Sequence, residues 1–177
     1  MPIKIDEIVL RKLEPRDVDS LFRFRNDPEL KELLVGFSNG YAQGDLLEWL
    51  EYHRTRTDEV LYAIADTSTD ECIGHIGLYQ IDPRVRKAEF GLLIGVEKYR
   101  NRGIGVKTTR WMVNYGFAEL NLNRIGLEVL VTNPRAIKLY EKVGFKYEGT
   151  LRSAQYRGGR YVDVQLMAIL ASDVHKQ

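Results

Sequence analysis

Val96-Glu97-Lys98-Tyr99-Arg100-Asn101-Arg102-Gly103-Ile104-Gly105-Val106-Lys107 joins an apolar run (Phe90, Leu92, Leu93, Ile94) to a long amphipathic pattern that begins at Ile104. The order is strand, basic glycine turn, helix start. Glycine lets a backbone take a positive φ or approach a ligand closely. The first amides of a helix have no partner within it and sit at the positive end of its dipole, so a phosphate can rest there. Arg100, Arg102 and Lys107 supply charge of the matching sign. Two common phosphate motifs are excluded. The dinucleotide fingerprint G-x-G-x-x-G would place glycine at Thr108, and a P-loop needs Lys directly after Gly, whereas Val106 separates Gly105 from Lys107.

What remains is Arg100-x-x-Gly103-x-Gly105 between a strand and a helix. It resembles the acetyl-CoA signature of the GNAT superfamily of N-acetyltransferases, in which Arg or Gln precedes a spaced pair of small residues. A second block, Asn133-Pro134-Arg135-Ala136 through Tyr140 to Gly144-Phe145, is similar to the family's Asn-x-x-Ala-x-x-x-Tyr-x-x-x-Gly-Phe. The tail Glu148-Gly149-x-Leu151-Arg152, followed by Gly159-Arg160-Tyr161-x-Asp163-Val164, looks like the branch holding ribosomal-protein and spermidine N-acetyltransferases. The resemblance is strongest from Ala88 to Leu170.

Composition bounds the rest. A chain of 177 residues suits one domain, 1–177, with a real core. Its 44% hydrophobic and 29% charged residues are an ordinary globular balance. A net charge of +1 gives no global field for nucleic acid or an anionic membrane, so neither is expected as a partner. The N-terminus does not read as a signal peptide, and the lone Cys72 rules out an internal disulfide and fits a reducing cytoplasm.

Taken in order, Ile8–Leu13 reads as a first strand. Pro15-Arg16-Asp17 opens a helix with Val18, Leu21 and Phe22 inward, and Asn26-Asp27-Pro28 breaks it. A second helix starts near Pro28, 35–41 is loop, and a third helix spans about Gln43 to Arg54. Strands follow at Val60–Asp66, Cys72–Ile81 and Ala88–Val96. The helix after the glycine turn shows a stripe at Ile104, Thr108, Trp111, Tyr115, Ala118 and Leu122. A strand over Ile125–Val131 leads to a short helix capped by Asn133 and ended by Gly144. Two last strands, about Phe145–Leu151 and Asp163–Leu170, flank a turn at Gly158-Gly159. This order is α+β, a GNAT-like mixed, mostly antiparallel sheet of about seven strands with helices on both faces.

The chemistry is expected to be metal-free: His53, His75 and His175 are scattered, with no Cys or His at ligand spacing. The resemblance implies an acetyl-CoA-dependent N-acetyltransferase in which a primary amine attacks the thioester directly. It makes Tyr140 the general acid at the sulfur and Glu89, in Ala88-Glu89-Phe90, a candidate base. Both have ordinary alternatives, Tyr140 as packing and Glu89 as a strand carboxylate paired with Arg84, Arg86 or Lys87. The resemblance also places the pantetheine along Leu93, Ile94, Gly95 and Val96. The pyrophosphate falls on Arg100, Asn101, Arg102, Gly103, Ile104, Gly105 and Val106, and Asn133 contacts the pantetheine arm or simply caps its helix. The acceptor would lie between Pro28 and Leu50. That loop has no acid between Leu33 and Tyr41, unlike a polycation site, which speaks against a polyamine. Asn26-Asp27-Pro28-Glu29 is similar to relatives that acetylate amino sugars, and polyamine, amino sugar and protein N-terminus are the acceptors left open. Relatives in this branch are often dimers, and a homodimer is expected. The alternative function is a catalytically silent acetyl-CoA binder acting as a sensor or interaction module.

Overall fold

The structure, a computed structural model, describes residues 2–36 and 39–174. Phe37 and Ser38 of the expected acceptor loop, and His175, lie outside the described residues. Eight strands form one sheet in the order β1-β2-β3-β4-β5-β6-β8-β7. They are β1 (Ile3–Ile5), β2 (Ile8–Arg11), β3 (Val60–Asp66), β4 (Cys72–Asp82), β5 (Lys87–Ile94), β6 (Arg124–Leu130), β7 (Lys146–Arg157) and β8 (Arg160–Leu170). The helices are α1 (Val18–Asn26), α2 (Pro28–Leu33), α3 (Gln43–Thr55), α4 (Ile104–Ala118), α5 (Pro134–Val143) and α6 (Ala171–Val174). The α+β class and the mostly antiparallel sheet stand as expected.

The strand count rises from seven to eight because Ile3–Ile5 pairs with β2, Ile3 opposite Leu10. Three residues are too few for alternation to show in a sequence, so this edge strand becomes visible only through its partner. The final hairpin is also longer than expected. Its strands run up to the turn, where Gly158 and Gly159 take φ of 52° and 80°, values that suit glycine.

Helices cover both faces. On one, Leu21 and Phe24 of α1 and Leu46 and Leu50 of α3 pack on Leu61, Ala63 and Leu93. On the other, Met112 and Val113 of α4 and Tyr140 of α5 pack on Ile76, Leu78 and Phe90. Asp17 joins the first helical layer to the sheet, because its carboxylate is buried against the Arg11 guanidinium with contacts of 2.7 and 2.8 Å.

Two helix faces differ from the expected ones. In α4, Ile104 and Thr108 are buried as predicted, but Met112 and Gly116 hold the next contact positions. Trp111 and Tyr115 are half-buried, Ala118 is exposed, and Leu122 lies beyond the helix end. The reason is closeness of approach: a Cβ on Gly116 would come within 2.9 Å of Ile125 Cδ1, so no ring fits on that line. Trp111 and Tyr115 stack on each other at the flank instead, with ring centroids 5.2 Å apart. In α1, Phe24 rather than Phe22 is the buried phenylalanine. Its ring lies where a Cβ on Gly95 would be, 2.1 Å from Cδ1.

Candidate active site

Among the described residues β5 and β6 are the one parallel pair in the sheet, and they begin together but do not stay together. They pair at Lys87 with Arg124, Ala88 with Ile125, and Glu89 with Gly126. β5 then continues to Ile94 and β6 to Leu130 with no further ladder between them. The divergence leaves Phe90–Ile94 bonded to β4 on one edge and unpaired on the other. A cleft of about 1040 Å³ opens there, walled by both strands, the start of α4 and the inner face of α5.

Of the four residues expected along the pantetheine, Leu93 and Ile94 line this cleft. Gly95 and Val96 do not. Their amides both donate to the Ile73 carbonyl, at 2.8 and 3.3 Å, which turns the chain out of the ladder. The edge available to a ligand therefore ends at Ile94.

The basic turn has a different electrostatic character from the one its composition suggests. Arg100 folds inward, donating from Nε to the Ile94 carbonyl at 3.2 Å and from Nη2 to the Gly95 carbonyl at 2.7 Å. Arg102 pairs with Glu7 at 2.8 Å and stands outside the cleft lining, and Lys107 pairs with Asp6. The turn between β1 and β2 thus neutralises two of the three cations expected to face a phosphate. What the cleft keeps is backbone. Asn101 and Gly103 both take left-handed φ, 61° and 79°, and Gly103 opens α4 with no side-chain cap on the helix. Residues 101, 103, 105 and 106 line the cleft around these free amides, while Ile104 turns its side chain into the core. Gly105 has a second role: a Cβ there would lie 2.5 Å from Leu139 Cδ1, so its smallness lets α4 rest against α5.

Tyr140 and Glu89 both line the cleft and reach it from opposite faces of the sheet. Tyr140 is buried, its ring edge-on to Phe90 with centroids 6.0 Å apart and tilted on Phe145 at 5.8 Å. Burial pushes its phenol up to about 12, and no hydrogen bond contributes to that shift. Glu89 alternates with Ala88 and Phe90, which belong to the core under α4 and α5, so its carboxylate faces the α1–α3 side. Burial raises its carboxyl above the ordinary range, while Lys87 and Arg124 pull the other way. No ion pair closes on it among the described residues, because Arg86 donates to Asn121 and Arg124 pairs with Glu148. Gly126 makes its space: a Cβ there would stand 3.0 Å from Glu89 Oε2. Asn133 lines the cleft as the α5 cap, its Oδ1 accepting from Ala136 N at 3.1 Å and its Nδ2 donating to the Leu33 carbonyl at 3.3 Å.

Sequence reasoning missed the wall contributed by Arg25, His75 and Tyr79. The available signal was the alternation of His75, Gly77 and Tyr79 on one face of a strand. The Tyr79 ring lies flat over Gly77 and Gly91, with ring atoms 2.9 Å from where either Cβ would be. Burial lowers the His75 imidazole to about 3, helped by the nearby Arg25 charge, so it is neutral at ordinary pH. No group of His, Cys, Asp and Glu that could hold a metal occurs among the described residues.

The profile of the acetyltransferase (GNAT) domain family matches residues 7–146. The chain belongs to the GNAT acetyltransferase family. Spermidine N(1)-acetyltransferase of Vibrio cholerae is 31% identical over 166 residues, covering 94% of each chain. The L-amino acid N-acetyltransferase AaaT of Escherichia coli is 32% identical over 169 residues, covering 93% of this chain and 98% of that one. Among solved structures, the Vibrio cholerae spermidine enzyme in complex with CoA and spermine superposes with a TM-score of 0.87 at 30% identity, over 96% of this chain and 98% of that one. Another structure of that Vibrio enzyme, dodecameric, gives a TM-score of 0.80 at 30% identity. This GNAT chain is therefore an N-acetyltransferase by family, and the parting of β5 and β6 lies within a fold shared along nearly its whole length.

Proposed function

We propose that this chain transfers an acetyl group from acetyl-CoA to a primary amine, with the donor seated in the opening between β5 and β6. The observation that carries this reading is the coincidence of three features in one cleft. These are an unpaired strand edge up to Ile94, the free amides of a helix opened by left-handed Gly103, and two ionisable groups entering from opposite faces. An extended arm with amide groups fits the strand edge, and a pyrophosphate fits the helix start. Bound there, acetyl-CoA supplies a thioester whose carbonyl carbon accepts the amine and whose sulfur departs.

The chain's own residues handle the protons. Glu89, with its raised carboxyl, takes one from the attacking nitrogen through water. Tyr140, protonated at neutral pH, gives one from its hydroxyl to the departing sulfur. One proton leaves the amine and one reaches the thiol, so the products are an amide and free CoA. Two further assignments follow. The chain acts in the cytoplasm, where acetyl-CoA is available and the buried thiol of Cys72 stays reduced. It assembles with itself as a homodimer, consistent with the multimeric Vibrio relative.

The direct test measures CoA thiol release with a panel of amines, comparing wild type with Tyr140→Phe. The variant keeps the ring and its packing on Phe90 but loses the acid. Its kcat should fall by about 10²–10⁴ while acetyl-CoA affinity and thermal stability are preserved. An unchanged kcat with the preferred acceptor, under conditions where chemistry limits the rate, would show that Tyr140 only packs.

A further inference from the structure

Arg25 is a cleft residue to which the transfer chemistry gives no part. It lies on α1, half-buried, and faces the cleft. Arg11 is matched by Asp17 and Asp70, Arg56 by Asp58 and Arg124 by Glu148, while the half-buried Arg100 and Arg157 donate to backbone carbonyls. Arg25 has no carboxylate within ion-pair distance among the described residues. Its contacts are of another kind. The guanidinium carbon sits 5.5 Å above the Trp49 ring centroid, and Nη2 is 3.5 Å from His75 Nε2.

His75 is buried, and with a neutral ring its Nε2 is placed to accept from Arg25, since a guanidinium can only donate; Nδ1 has no partner among the described residues. A protonated histidine would repel the guanidinium, whereas the neutral one holds it. Stacking fixes the plane of the guanidinium and the imidazole fixes one corner. The rest of its planar fork of donors has no partner among the described residues, in the geometry that binds a carboxylate bidentately. A half-desolvated cation without a counter-ion is costly. An anion on the ligand offsets that cost.

Resting on the acetyltransferase reading, we infer that the acceptor is an amine bearing a carboxylate, which docks on Arg25 while its amino group turns toward Glu89. The same cleft supplies the opposite charge for the amino group, since Glu89 and Glu128 both line it. A polycation would meet Arg25 with like charge, and 34–42 offers no acid to compensate.

The test uses matched pairs, each protein amino acid against its own carboxamide, with spermidine as a third arm. Wild type should favour carboxylates over carboxamides in kcat/KM by about tenfold or more, the scale of a charged hydrogen-bond pair. Arg25→Gln should raise KM for carboxylates by about 10–100-fold, leave the carboxamides unmoved and bring their ratio near unity, and Arg25→Lys should restore part of the preference. Calorimetric titration of the same amines into protein saturated with CoA reads this docking without any transfer. Arg25-dependent binding of carboxylates would then survive even if no acetyl group moved, which separates this inference from the catalytic one. Equal or better binding of carboxamides or spermidine, a preference unaltered in Arg25→Gln, or no binding by any carboxylate amine would each overturn it.

Discussion

At the scale of single residues, burial moves Glu89 and Tyr140 in the same direction and thereby equips them for opposite tasks. A carboxyl raised by desolvation is a stronger base once ionised, and a phenol raised by desolvation remains protonated and able to donate. The shift at Glu89 also has a sign for stability. The folded state holds that proton more tightly than the unfolded chain does, so ionising Glu89 near neutral pH opposes folding. That penalty disappears as pH falls below the ordinary carboxylate value. Glu89→Gln should therefore melt at or above the wild-type temperature near neutral pH while losing activity. In wild type, log kcat/KM should steepen further with falling pH below the raised Glu89 value, and Glu89→Gln should lack that extra steepness. Melting curves and a pH–rate profile on the same preparations check both halves. A variant that melts lower, or a profile that keeps its shape, would remove Glu89 as the base.

Among elements, α4 and α5 show how much of the site was legible in the sequence. The glycine turn, the Asn133 cap and the left-handed Gly144 that ends α5 were readable because caps and turns carry local chemistry. The inward face of α4 was not, because its ring-bearing stripe and its glycine–methionine stripe are both apolar. Only the closeness of Ile125 decides between them. The fate of Arg102 and Lys107 was equally hidden, since Asp6 and Glu7 lie far from them in the chain and meet them only when β1 and β2 form. The same long-range logic gives Gly105 a packing role that its motif does not advertise. Gly105→Ala should force the Leu139 side chain aside and cost on the order of 1 kcal/mol of stability, the low end of overpacking, since the crowded atom ends a half-buried side chain. Leu139→Ala in that background should recover part of the loss, giving a favourable coupling energy in a urea-unfolding double-mutant cycle. Strict additivity of the two changes would mean that Gly105 is small for the ligand alone.

On the scale of the whole molecule, the sheet is well covered from β2 to β6 and along the inner part of β8, but β7 and the tip of the β7–β8 hairpin are exposed. Tyr147, Leu151, Tyr156 and Tyr161 are exposed along that hairpin, Tyr161 by 72%. Large apolar groups gathered at one sheet end mark an association surface more often than a free one. Light scattering at micromolar concentration should thus give a mass above the 20.5 kDa of one chain, and Tyr156→Ser with Tyr161→Ser should shift it toward the monomer. A monomeric wild type would discard the assembly. The central claim, that the opening between β5 and β6 is the acetyl-CoA seat, is tested most directly by amide hydrogen exchange with and without acetyl-CoA. Binding is predicted to slow exchange along 91–94 on the free edge of β5 and along 103–106 at the start of α4. Protection confined to other segments, or absent while acetyl-CoA still raises the melting temperature, would contradict it.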